Sequence, residues 1–561
     1  MKRILFLLVF VSILAQTASA DFIESTPVGP GIVHHHEFRE GGPWHFHVLE
    51  IDLSENWIQL ETVKANDRLS GYERTSSMAG RNNYEMHRVV GAINGDFYAS
   101  GGIPTGTQVL DGILLKRPYA GRSVFGSTSE KQPFIEVVSF TGQIGAGDSS
   151  TLEIDGVNEA RDTDKLVLYN KYFGLTTQTN YWGTEITAQY LTGQLAVNDT
   201  LAVLALTKDS VQATGHGNNA IPSDGMVISG HGTCRDFLNE HVFVGDTLSV
   251  ILELPPVSQS ILELVGGGPR LIRDGTATVE SVSEGFGQSF ASDRHPRTAV
   301  GFSEDSNKLY FFTVDGRQAG YSVGMSLYEL ADYMLEWDVY QGMNLDGGGS
   351  TTMVVRGQVV NSPSDTGGER SVANALMAIS TAPTGPLAVL RIDPKEVFAL
   401  AETQVQFSVA GFDQYYNPVT LHQDSLVWSC DSAIGTIDDS GLFTAGSDEI
   451  SGYLYVHYED IRDSALVHIT DVTTIALFPN PVILEVGQQQ AIFPEARDSY
   501  GNLISLSATD YQWSVTGAVG EITTAGIFTA TQSGEGFIIA AYNSVSGSTA
   551  VSVGIPTDVI V

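Results

Sequence analysis

The chain has 561 residues and carries 65 Asp and Glu residues against 29 Lys and Arg residues, a formal net charge of −36. A hydrophobic content of 42% and a charged content of 17% are typical of globular proteins, so they exclude extensive disorder. The negative charge disfavours non-specific binding to nucleic acid or anionic lipid, because the phosphate groups would be repelled. The only two cysteines, Cys234 and Cys430, exclude a disulfide-stabilised scaffold and are predicted to be free thiols.

The first twenty residues predict secretion. Lys2 and Arg3 precede an apolar run over 4–14, and Ala18-Ser19-Ala20 supplies small residues before a cleavage point. This run is too short to cross a bilayer, which requires about 20 residues. We therefore expect 1–20 to be a signal peptide, with an uncleaved anchor as the alternative. The mature chain is expected outside the cell, in the periplasm or on the cell surface.

Two matched segments follow a linker-like stretch at 383–386. Asp413, Asn417, Trp428 and the Gly-Leu-Phe-Thr-Ala run at 441–445 recur 85 positions later as Asp498, Asn502, Trp513 and 526–530. Short β-branched and aromatic runs between turn residues predict antiparallel sandwiches, with each Trp packed between two sheets. The segments resemble bacterial Ig-like modules over 388–470 and 474–556. Such modules space or anchor a catalytic domain, and carbohydrate binding is the alternative role.

Residues 21–382 contain four Gly-rich loops that follow predicted strands. The first strand, 89–93, runs into Asn94-Gly95-Asp96-Phe97-Tyr98, a turn that directs Asp96 outward. The second strand, 261–265, runs into Gly266-Gly267-Gly268-Pro269, whose backbone N–H groups are expected to face a ligand. This second loop is not a dinucleotide-binding fingerprint, because the glycine spacing differs and Pro269 follows.

The third loop ends a predicted hairpin, in which 294–298 lead into a first strand at 299–303 and a second strand at 308–314 ends in Asp315-Gly316-Arg317. A carboxylate and a guanidinium two residues apart suit a polar or anionic group. His295 beside Pro296 is expected to be a structural loop residue. The triplet His34-His35-His36 has no Cys, Asp or Glu at ligand spacing, so the sequence predicts no metal site there.

The fourth loop follows a predicted helix, which begins with the capping box Ser326 to Glu329 and continues with helical spacing to Asp338. The chain then reads Asn-Leu-Asp-Gly-Gly-Gly-Ser over 344–350, before a strand at 353–355. A Walker loop would need a Lys and a following helix, so nucleotide hydrolysis is disfavoured. The loop places Asp346 beside an open backbone and several hydroxyls, which suits a phosphate or a sugar.

Together with the tail 361–374, these loops occur in the order found in phosphodiester glycosidases, and the chain resembles that family over about 40–380. The most specific signals are the run 344–350, Pro-Arg-Thr-Ala at 296–299 and Val-Asp-Gly-Arg at 314–317. One departure is Asp96, where many relatives carry a small residue. The resemblance implies hydrolysis of a sugar-1-phosphate diester, such as an N-acetylglucosamine-1-phosphodiester, to free sugar and phosphomonoester.

The implied chemistry assigns the candidate site. Cleavage of the C1–O bond develops positive charge that a carboxylate stabilises, and arginines absorb charge on the departing phosphate. We expect Asp315, Asp346 and Asp96 to be the catalytic candidates, and which of them is acid, base or nucleophile stays open. The predicted substrate- and phosphate-binding residues are Asn94, Arg297, Arg317, Gly347, Gly348, Gly349, Ser350, Glu369 and Arg370. For Glu369 and Arg370 a structural ion pair is the alternative.

The sequence therefore predicts an α+β catalytic domain over 21–382 with a mixed, strand-dominated sheet, followed by two all-β Ig-like sandwiches. No cofactor is assigned, and a divalent cation stays open. The expected partner is a carbohydrate phosphodiester in a capsule or cell-wall polymer, with no nucleic acid and no transmembrane segment. The alternatives are a metal-dependent phosphodiesterase that cleaves P–O and a non-catalytic glycan-binding surface protein.

Overall fold

A computed structural model describes residues 21–191, 195–210 and 217–554. The predicted signal peptide at 1–20 lies outside the described residues. The chain divides into two compact units, Asp21–Gly385 and a second unit that begins at Pro386. Among the described residues, no helix has the length and apolar character needed to cross a membrane.

Sheet A of the first unit has eight strands, and every neighbouring pair is antiparallel. In spatial order the strands are Phe22–Gly29, Ile32–Arg39, Trp44–Asp52, Lys308–Val314, Arg297–Phe302, Gln341–Asn344, Arg270–Arg273 and Thr276–Ala277. Side chains alternate between the two faces of a strand. Leu309 and Phe311 accordingly enter one hydrophobic core, and Tyr310 and Phe312 enter another on the opposite face.

Two five-stranded antiparallel sheets pack with sheet A around a shared core. Sheet B contains Gln358–Val359, Met353–Val355, Arg88–Asn94, Asn374–Ser380 and Ile58–Lys64, and sheet C contains Ile113–Lys116, Gln108–Leu110, Ile261–Gly266, Ser123–Thr128 and Pro133–Val137. Leu49 and Val300 of sheet A, Ile93 of sheet B, and Phe125 and Val265 of sheet C belong to one buried cluster. Burial of side chains from all three sheets is what fixes the sheets against one another.

Sheet D makes the first unit a mixed structure. Its eight strands in spatial order are Thr151–Glu153, Thr141–Gly145, Thr247–Glu253, Thr200–Asp209, Gly183–Tyr190, Gly225–His231, Leu166–Asn170 and Gly156–Val157. The last two strands pair in parallel, and the other pairs are antiparallel. Helices are few in the described residues: Thr75–Arg81, Thr233–His241, Gln288–Ser292 and Leu327–Leu335. The prediction of a strand-dominated, mixed-sheet architecture is confirmed at this level.

The predicted helix before the fourth loop is present as Leu327–Leu335. Ser326 is its N-cap, and the reciprocal hydrogen bonds between Ser326 and Glu329 form the predicted capping box. Leu330 and Met334 pack into the core beneath sheet A. The helix stops three residues before Asp338, where a positive φ of 55° ends helical geometry.

The second unit repeats one strand arrangement twice. The first copy has three sheets. The first sheet contains Leu387–Asp393, Ser408–Asp413 and Pro418–Val419, and the second contains Glu396–Leu400, Ile461–Thr470, Ser451–Tyr458 and Leu426–Cys430. The third sheet contains Gln404–Gln406, Leu442–Ala445 and Gly435–Ile437. The second copy has the same order in Thr474–Phe478, Phe493–Arg497 and Leu503–Ile504; Val482–Leu484, Val545–Val553, Gly534–Tyr542 and Gln512–Val515; and Gln489–Ala491, Ile527–Ala530 and Gly520–Ile522. Each copy encloses its own hydrophobic core.

The repeated tryptophans occupy equivalent places in the two copies. Trp428 and Trp513 are half-buried, and each packs against the core of its own copy. A Cβ atom at Gly441 or Gly526 would lie 3.1 Å from Cζ2 of the respective indole ring. Both glycines have a positive φ, so the repeated Gly-Leu/Ile-Phe-Thr-Ala run combines a tight turn with close approach to the tryptophan.

Candidate active site

The register of sheet A brings two of the predicted loops to one edge. Val314 pairs with Arg297, and Asn344 pairs with Ala299, so the strands ending at Val314 and Asn344 finish on either side of the start of the strand that begins at Arg297. Asp315 and the Gly-rich loop at 345–350 therefore emerge at the same edge, although 30 residues separate them.

Hydrogen bonds join this edge to sheets B and C. The backbone N–H of Asp346 donates to the carbonyl of Gly95 at 2.9 Å, and Asn94 Nδ2 donates to the carbonyl of Asp346 at 2.6 Å. The N–H of Gly268 donates to the carbonyl of Asn344 at 2.8 Å. The first, second and fourth Gly-rich loops thus meet around Asp346.

Asp346 is a partly buried carboxyl at the centre of this meeting point. Its Oδ1 accepts a hydrogen bond of 3.0 Å from the N–H of Gly347. Burial raises the pKa of Asp346 to about 6, and the nearby Ser350 hydroxyl, the Gly347 N–H and the charge of Arg370 oppose that rise. A carboxyl that titrates near neutral pH can act in both protonation states, as acid–base chemistry requires.

Asp96 lies within electrostatic range of Asp346 and is only 2% exposed. Its Oδ2 accepts a 2.6 Å hydrogen bond from the N–H of Gly106, while its Oδ1 has no hydrogen-bond partner among the described residues. Burial raises the pKa of Asp96 to about 7; the charge of Asp346 adds to that rise, and the Gly106 N–H, Lys116 and Arg122 oppose it. A proton held by this pair therefore resides mainly on Asp96.

The second Gly-rich loop makes room for Asp96. A Cβ atom at Gly266 would lie 2.7 Å from Asp96 Oδ2, and one at Gly106 would lie 3.0 Å from the same oxygen. The sequence predicted that N–H groups of this loop face a ligand, but the N–H of Gly268 is used by Asn344. The glycines therefore serve close packing around a buried carboxyl.

Several buried polar atoms at this edge have no hydrogen-bond partner among the described residues. They are Asp96 Oδ1, Gln108 Nε2, Asn344 Oδ1, Ser350 Oγ, Thr351 Oγ1 and Thr352 Oγ1. An unsatisfied buried polar group costs about 1–3 kcal/mol, so such groups rarely gather without a reason. Their concentration around the two carboxyls is typical of a site that is completed by a polar ligand or by water.

Asp315 is placed differently from the other two aspartates. It is fully buried, and its carboxyl accepts hydrogen bonds from Asn361 Nδ2 at 2.9 Å, the Ser362 N–H at 2.9 Å and the Tyr321 hydroxyl at 3.3 Å. Burial raises the pKa of Asp315 to about 6, and these three donors oppose the rise. Because three donors from two protein segments occupy its oxygens, the placement of Asp315 favours a structural role over the predicted catalytic one.

Arg297 is also a scaffold contact. Its Nε donates to the carbonyl of Met325 at 3.0 Å, and its Nη2 donates to the carbonyls of Phe290 at 2.8 Å and Asp293 at 2.7 Å. The residue is 2% exposed, and burial lowers the pKa of the guanidinium to about 10. The predicted phosphate clamp is not supported by this arrangement, because two of the three guanidinium nitrogens already hold backbone carbonyls.

Arg317 lies on the outer side of the glycine loop. It is exposed, and a Cβ atom at Gly348 would lie 3.1 Å from both of its Nη atoms. Its Nη2 also lies 3.3 Å from Nδ1 of His295, which places the predicted loop histidine at the rim of the site. Burial and the charges of Arg297 and Arg317 lower the pKa of His295, which favours the neutral imidazole.

Glu369 and Arg370 do not pair with each other. Glu369 accepts hydrogen bonds from the N–H and hydroxyl of Ser76 at the start of the helix Thr75–Arg81. Arg370 forms a bidentate pair with Asp365 at 2.7 and 2.8 Å, and the pair packs against Gly349 where a side chain would otherwise stand. Only Arg370 therefore lies along the glycine loop, while Glu369 holds a helix terminus.

The backbone of the glycine loop is largely used within the protein. The Gly347 N–H binds the Asp346 carboxyl, and the Gly348 N–H donates to the carbonyl of Pro296 at 2.8 Å. The prediction that these N–H groups contact phosphate is not supported for these two glycines. The Ser350 hydroxyl meets no hydrogen-bond geometry among the described residues, but it lies close enough to Asp346 to lower the pKa of that carboxyl.

Asn94 is a structural link. In addition to its bond to the Asp346 carbonyl, its Oδ1 accepts hydrogen bonds from Thr298 Oγ1 at 2.8 Å and the Thr352 N–H at 3.0 Å. The residue is fully buried, so its amide positions Asp346 and leaves no atom for substrate.

Two members of the histidine triplet, His34 and His36, belong to a stack of rings on sheet A, whereas His35 packs edge-on against Trp337. His34 Nε2 lies 3.1 Å from His47 Nδ1, and His36 Nε2 lies 3.1 Å from His45 Nδ1. His45 stacks on Tyr321 with ring centroids 3.9 Å apart. Within 21–191, 195–210 and 217–554, no group of three or more His, Cys, Asp or Glu residues is arranged to hold a metal ion.

Sequence reasoning missed the residues that sheet C brings to the site. Lys116 and Arg122 carry charges that act on Asp96, and Gln108 accepts a hydrogen bond from Asn374, whose own Oδ1 holds the Asp96 N–H. Lys116, Arg122 and Gln108 belong to no motif, whereas Asn374 ends the tail 361–374 that the sequence singles out. The only local signal of the first three is that they lie close to strand ends and turns of sheet C.

The comparisons with known proteins point in the same direction. Residues 200–379 match the family described as phosphodiester glycosidase. This region contains Arg317, Asp346 and Arg370, while Asp96 and Arg122 lie outside it. The loops 344–350 and 315–317 therefore both lie within the matched region.

Two curated relatives carry the corresponding name. The chain is 30% identical over 166 residues to N-acetylglucosamine-1-phosphodiester alpha-N-acetylglucosaminidase of Mus musculus, covering 27% of this chain and 31% of that protein. It is 31% identical over 147 residues to the Homo sapiens protein, covering 26% of each chain. The chain thus spans less than a third of the length of these relatives. A crystal structure of a hypothetical protein from Synechocystis is similar over 65% of this chain and 64% of that one, with 22% identity and a TM-score of 0.49.

Proposed function

We propose that the protein is a secreted hydrolase that cleaves the glycosidic C–O bond of a sugar-1-phosphate diester, releasing free sugar and a phosphomonoester. The observation that carries the proposal is the pair of buried, electrostatically coupled carboxyls, Asp96 and Asp346, surrounded by unpartnered polar groups. The match of 200–379 to phosphodiester glycosidases and the names of the two relatives support N-acetylglucosamine as the sugar.

The two carboxyls divide the chemistry according to their environments. Asp346 is the more exposed and has the lower pKa, so it supplies the carboxylate that faces the positive charge developing at the anomeric carbon. Asp96 is fully buried and holds the proton, which its unpartnered Oδ1 can exchange with the departing oxygen or with water. Carboxyls whose environments separate their pKa values are a common basis for such assignments.

The surrounding groups fit a sugar with an anionic substituent. The hydroxyls of Thr351 and Thr352 are buried and have no hydrogen-bond partner among the described residues, which suits hydrogen bonding to sugar hydroxyls. Arg317 places positive charge along the glycine loop, whereas the charge of Arg370 is offset by its pair with Asp365. In a chain of net charge −36, this local positive field would attract an anionic substrate that the rest of the protein repels.

We further propose that the second unit consists of two Ig-like modules that space or anchor the catalytic unit. The identical strand order of the two copies and their separate cores support this organisation. The apolar run at 4–14 supports secretion, and a phosphate-containing capsule or wall polymer is the substrate that fits a secreted enzyme.

The test is product analysis with purified mature protein on UDP-N-acetylglucosamine and on a simple N-acetylglucosamine-1-phosphate diester, each with and without EDTA. Free N-acetylglucosamine with an intact phosphomonoester supports C–O cleavage. Release of N-acetylglucosamine-1-phosphate would move the assignment to a phosphodiesterase that cleaves P–O, and loss of that activity in EDTA would indicate a metal.

The matched variants are Asp346→Asn and Asp332→Asn. We expect Asp346→Asn to lose at least about 100-fold in kcat, because it removes a charge that acts on the transition state. Asp332 is exposed on the helix Leu327–Leu335, so Asp332→Asn should leave the rate unchanged. Equal rates for the two variants would refute the role of Asp346. Absence of turnover on both substrates, combined with binding on a glycan array, would favour the glycan-binding alternative.

A further inference from the structure

Arg122 has a guanidinium group without a hydrogen-bond or salt-bridge partner among the described residues. Its Nε is fully buried and unsatisfied. The other guanidinium groups near the site are engaged: Arg297 binds backbone carbonyls, Arg370 binds Asp365, and Arg317 lies against His295. A half-buried cation without an anionic partner is energetically unfavourable. Among these arginines, Arg122 therefore has N–H donors available to bind an anion.

Aromatic rings hold this guanidinium in place. Its central carbon lies 4.3 Å from the ring centroid of Phe286, 4.7 Å from that of Tyr119 and 5.8 Å from that of Phe97. Cation–π contacts of this kind fix the plane of the group but use none of its N–H donors. The rings therefore preorganise Arg122 while leaving its donors free for an acceptor.

The backbone beside Arg122 is also fixed. The next residue, Ser123, donates from its N–H and its hydroxyl to the buried carboxyl of Glu284 at 2.9 and 2.6 Å. Glu284 also accepts a 2.7 Å hydrogen bond from the N–H of Arg270. Arg122 thus extends from the anchored start of the strand Ser123–Thr128, so its position is set by sheet C rather than by a free loop.

Arg122 lies within electrostatic range of Asp96. Phe97, one of its three rings, directly follows Asp96 in the chain, and the charge of Arg122 lowers the pKa of Asp96, in opposition to the rise caused by burial. A group bound by Arg122 would therefore lie beside Asp96, the carboxyl that holds the proton.

We propose that Arg122, in its cradle of Tyr119, Phe97 and Phe286, binds the phosphate of the substrate. The inference rests on the proposed function and adds to it, because it moves phosphate recognition from the predicted Arg297 to the residue that directly precedes the strand Ser123–Thr128 of sheet C. A guanidinium with free donors matches a phosphate through two parallel N–H···O bonds. A phosphate held there lies beside Asp96, where its bridging oxygen can take up a proton as the C1–O bond breaks.

The test compares Arg122→Gln with Arg117→Gln in the full mature chain. Arg117 lies in the same loop, pairs with Glu159 and is exposed, so it serves as the matched control. Each protein is assayed on an N-acetylglucosamine-1-phosphate diester and on an aryl N-acetylglucosaminide that lacks phosphate. Inhibition by inorganic phosphate is measured on both substrates, and thermal unfolding verifies that each variant is folded.

We expect Arg122→Gln to lower kcat/KM for the diester by about 10- to 100-fold, the effect of one or two charge-assisted hydrogen bonds. The aryl glycoside should be affected much less, inhibition by inorganic phosphate should be lost, and Arg122→Lys should recover part of the loss. Equal losses on both substrates, or inhibition by phosphate that survives in Arg122→Gln, would overturn the proposal.

The inference has a readout that does not depend on turnover. Calorimetric titration with inorganic phosphate should show binding to the wild-type protein and to Arg117→Gln, and none to Arg122→Gln. If the wild-type protein hydrolyses neither substrate, the proposed function fails, and this titration still decides the role of Arg122. Equal binding by all three proteins, or by none of them, would refute an Arg122 phosphate site.

Discussion

Replacing Asp96 by Asn should stabilise the protein while abolishing its activity. The wild-type carboxyl is 2% exposed, and its pKa is raised from 3.8 to about 7. Between about pH 4 and pH 7 the Asp96 carboxyl is therefore protonated in the folded protein but ionised in the unfolded chain. Ionisation of Asp96 therefore favours the unfolded state above about pH 4, and Asn, which cannot ionise, avoids this cost.

The magnitude follows from the shift of about three pH units. At about 1.4 kcal/mol per unit, Asp96→Asn should be more stable than the wild type by about 4 kcal/mol at pH 8 and by about 2 kcal/mol at pH 5. The Asn side chain can still accept from the Gly106 N–H, and its amide can point to the place of the unpartnered Oδ1. The gain should therefore not be offset by a lost hydrogen bond.

The assay is urea denaturation of wild type, Asp96→Asn and Asp332→Asn between pH 5 and pH 8, with hydrolysis of the diester measured on the same samples. Asp332 is an exposed carboxyl, so its replacement should change the free energy of unfolding by less than about 0.5 kcal/mol at every pH. A difference between wild type and Asp96→Asn that stays constant with pH would refute the reasoning, since it would show that Asp96 does not carry the raised pKa.

Three further outcomes follow from the described contacts. Arg297→Met should lower the free energy of unfolding by about 3 kcal/mol in urea denaturation, because buried carbonyls lose their donor; a stable variant impaired only on phosphodiesters would restore the predicted clamp. The pKa of His45 is lowered from 6.5 to about 4, mainly by burial, so stability should fall as the pH drops from 6.5 towards 4, and His45→Gln should reduce that fall in thermal unfolding curves. In Gly349→Ala the new Cβ would lie 2.1 Å from the Asp365–Arg370 pair, so kcat/KM should fall about tenfold while the melting temperature changes little; an unaffected kcat/KM would show that the pair can move aside freely.

The sequence was informative wherever the signal is local. The capping box at Ser326 and Glu329 marks a helix start through contacts between residues three apart, and the structure contains that helix. The recurrence of Trp428 as Trp513 indicates a duplicated fold, because equal spacing of core and turn residues requires equal strand arrangements. Asp346 could also be recognised as a catalytic candidate, because the loop that carries it is one contiguous run at 344–350.

The roles of individual charged residues were decided by tertiary structure. Asp315 and Asp346 both follow a strand end and precede a glycine. The carboxyl oxygens of Asp315 accept hydrogen bonds from three donors, whereas Asp346 lies at a site with unpartnered polar groups. Likewise, Arg297 lies in the more specific motif but holds backbone carbonyls, whereas Arg122 lies in no motif and keeps its donors free.

The physical reason is that burial, charge coupling and hydrogen-bond saturation depend on segments far apart in the chain. Asp96 receives its raised pKa from packing against glycines of sheet C and from the charge of Asp346, 250 residues later. The sequence by itself determined the strand ends and turns of the Gly-rich loops, the helix that begins after Ser326, the duplication of the C-terminal segments, and that a carboxylate follows the strand end at Asn344. Only the packing of sheets A, B and C decided which carboxyl holds a proton and which guanidinium can bind an anion.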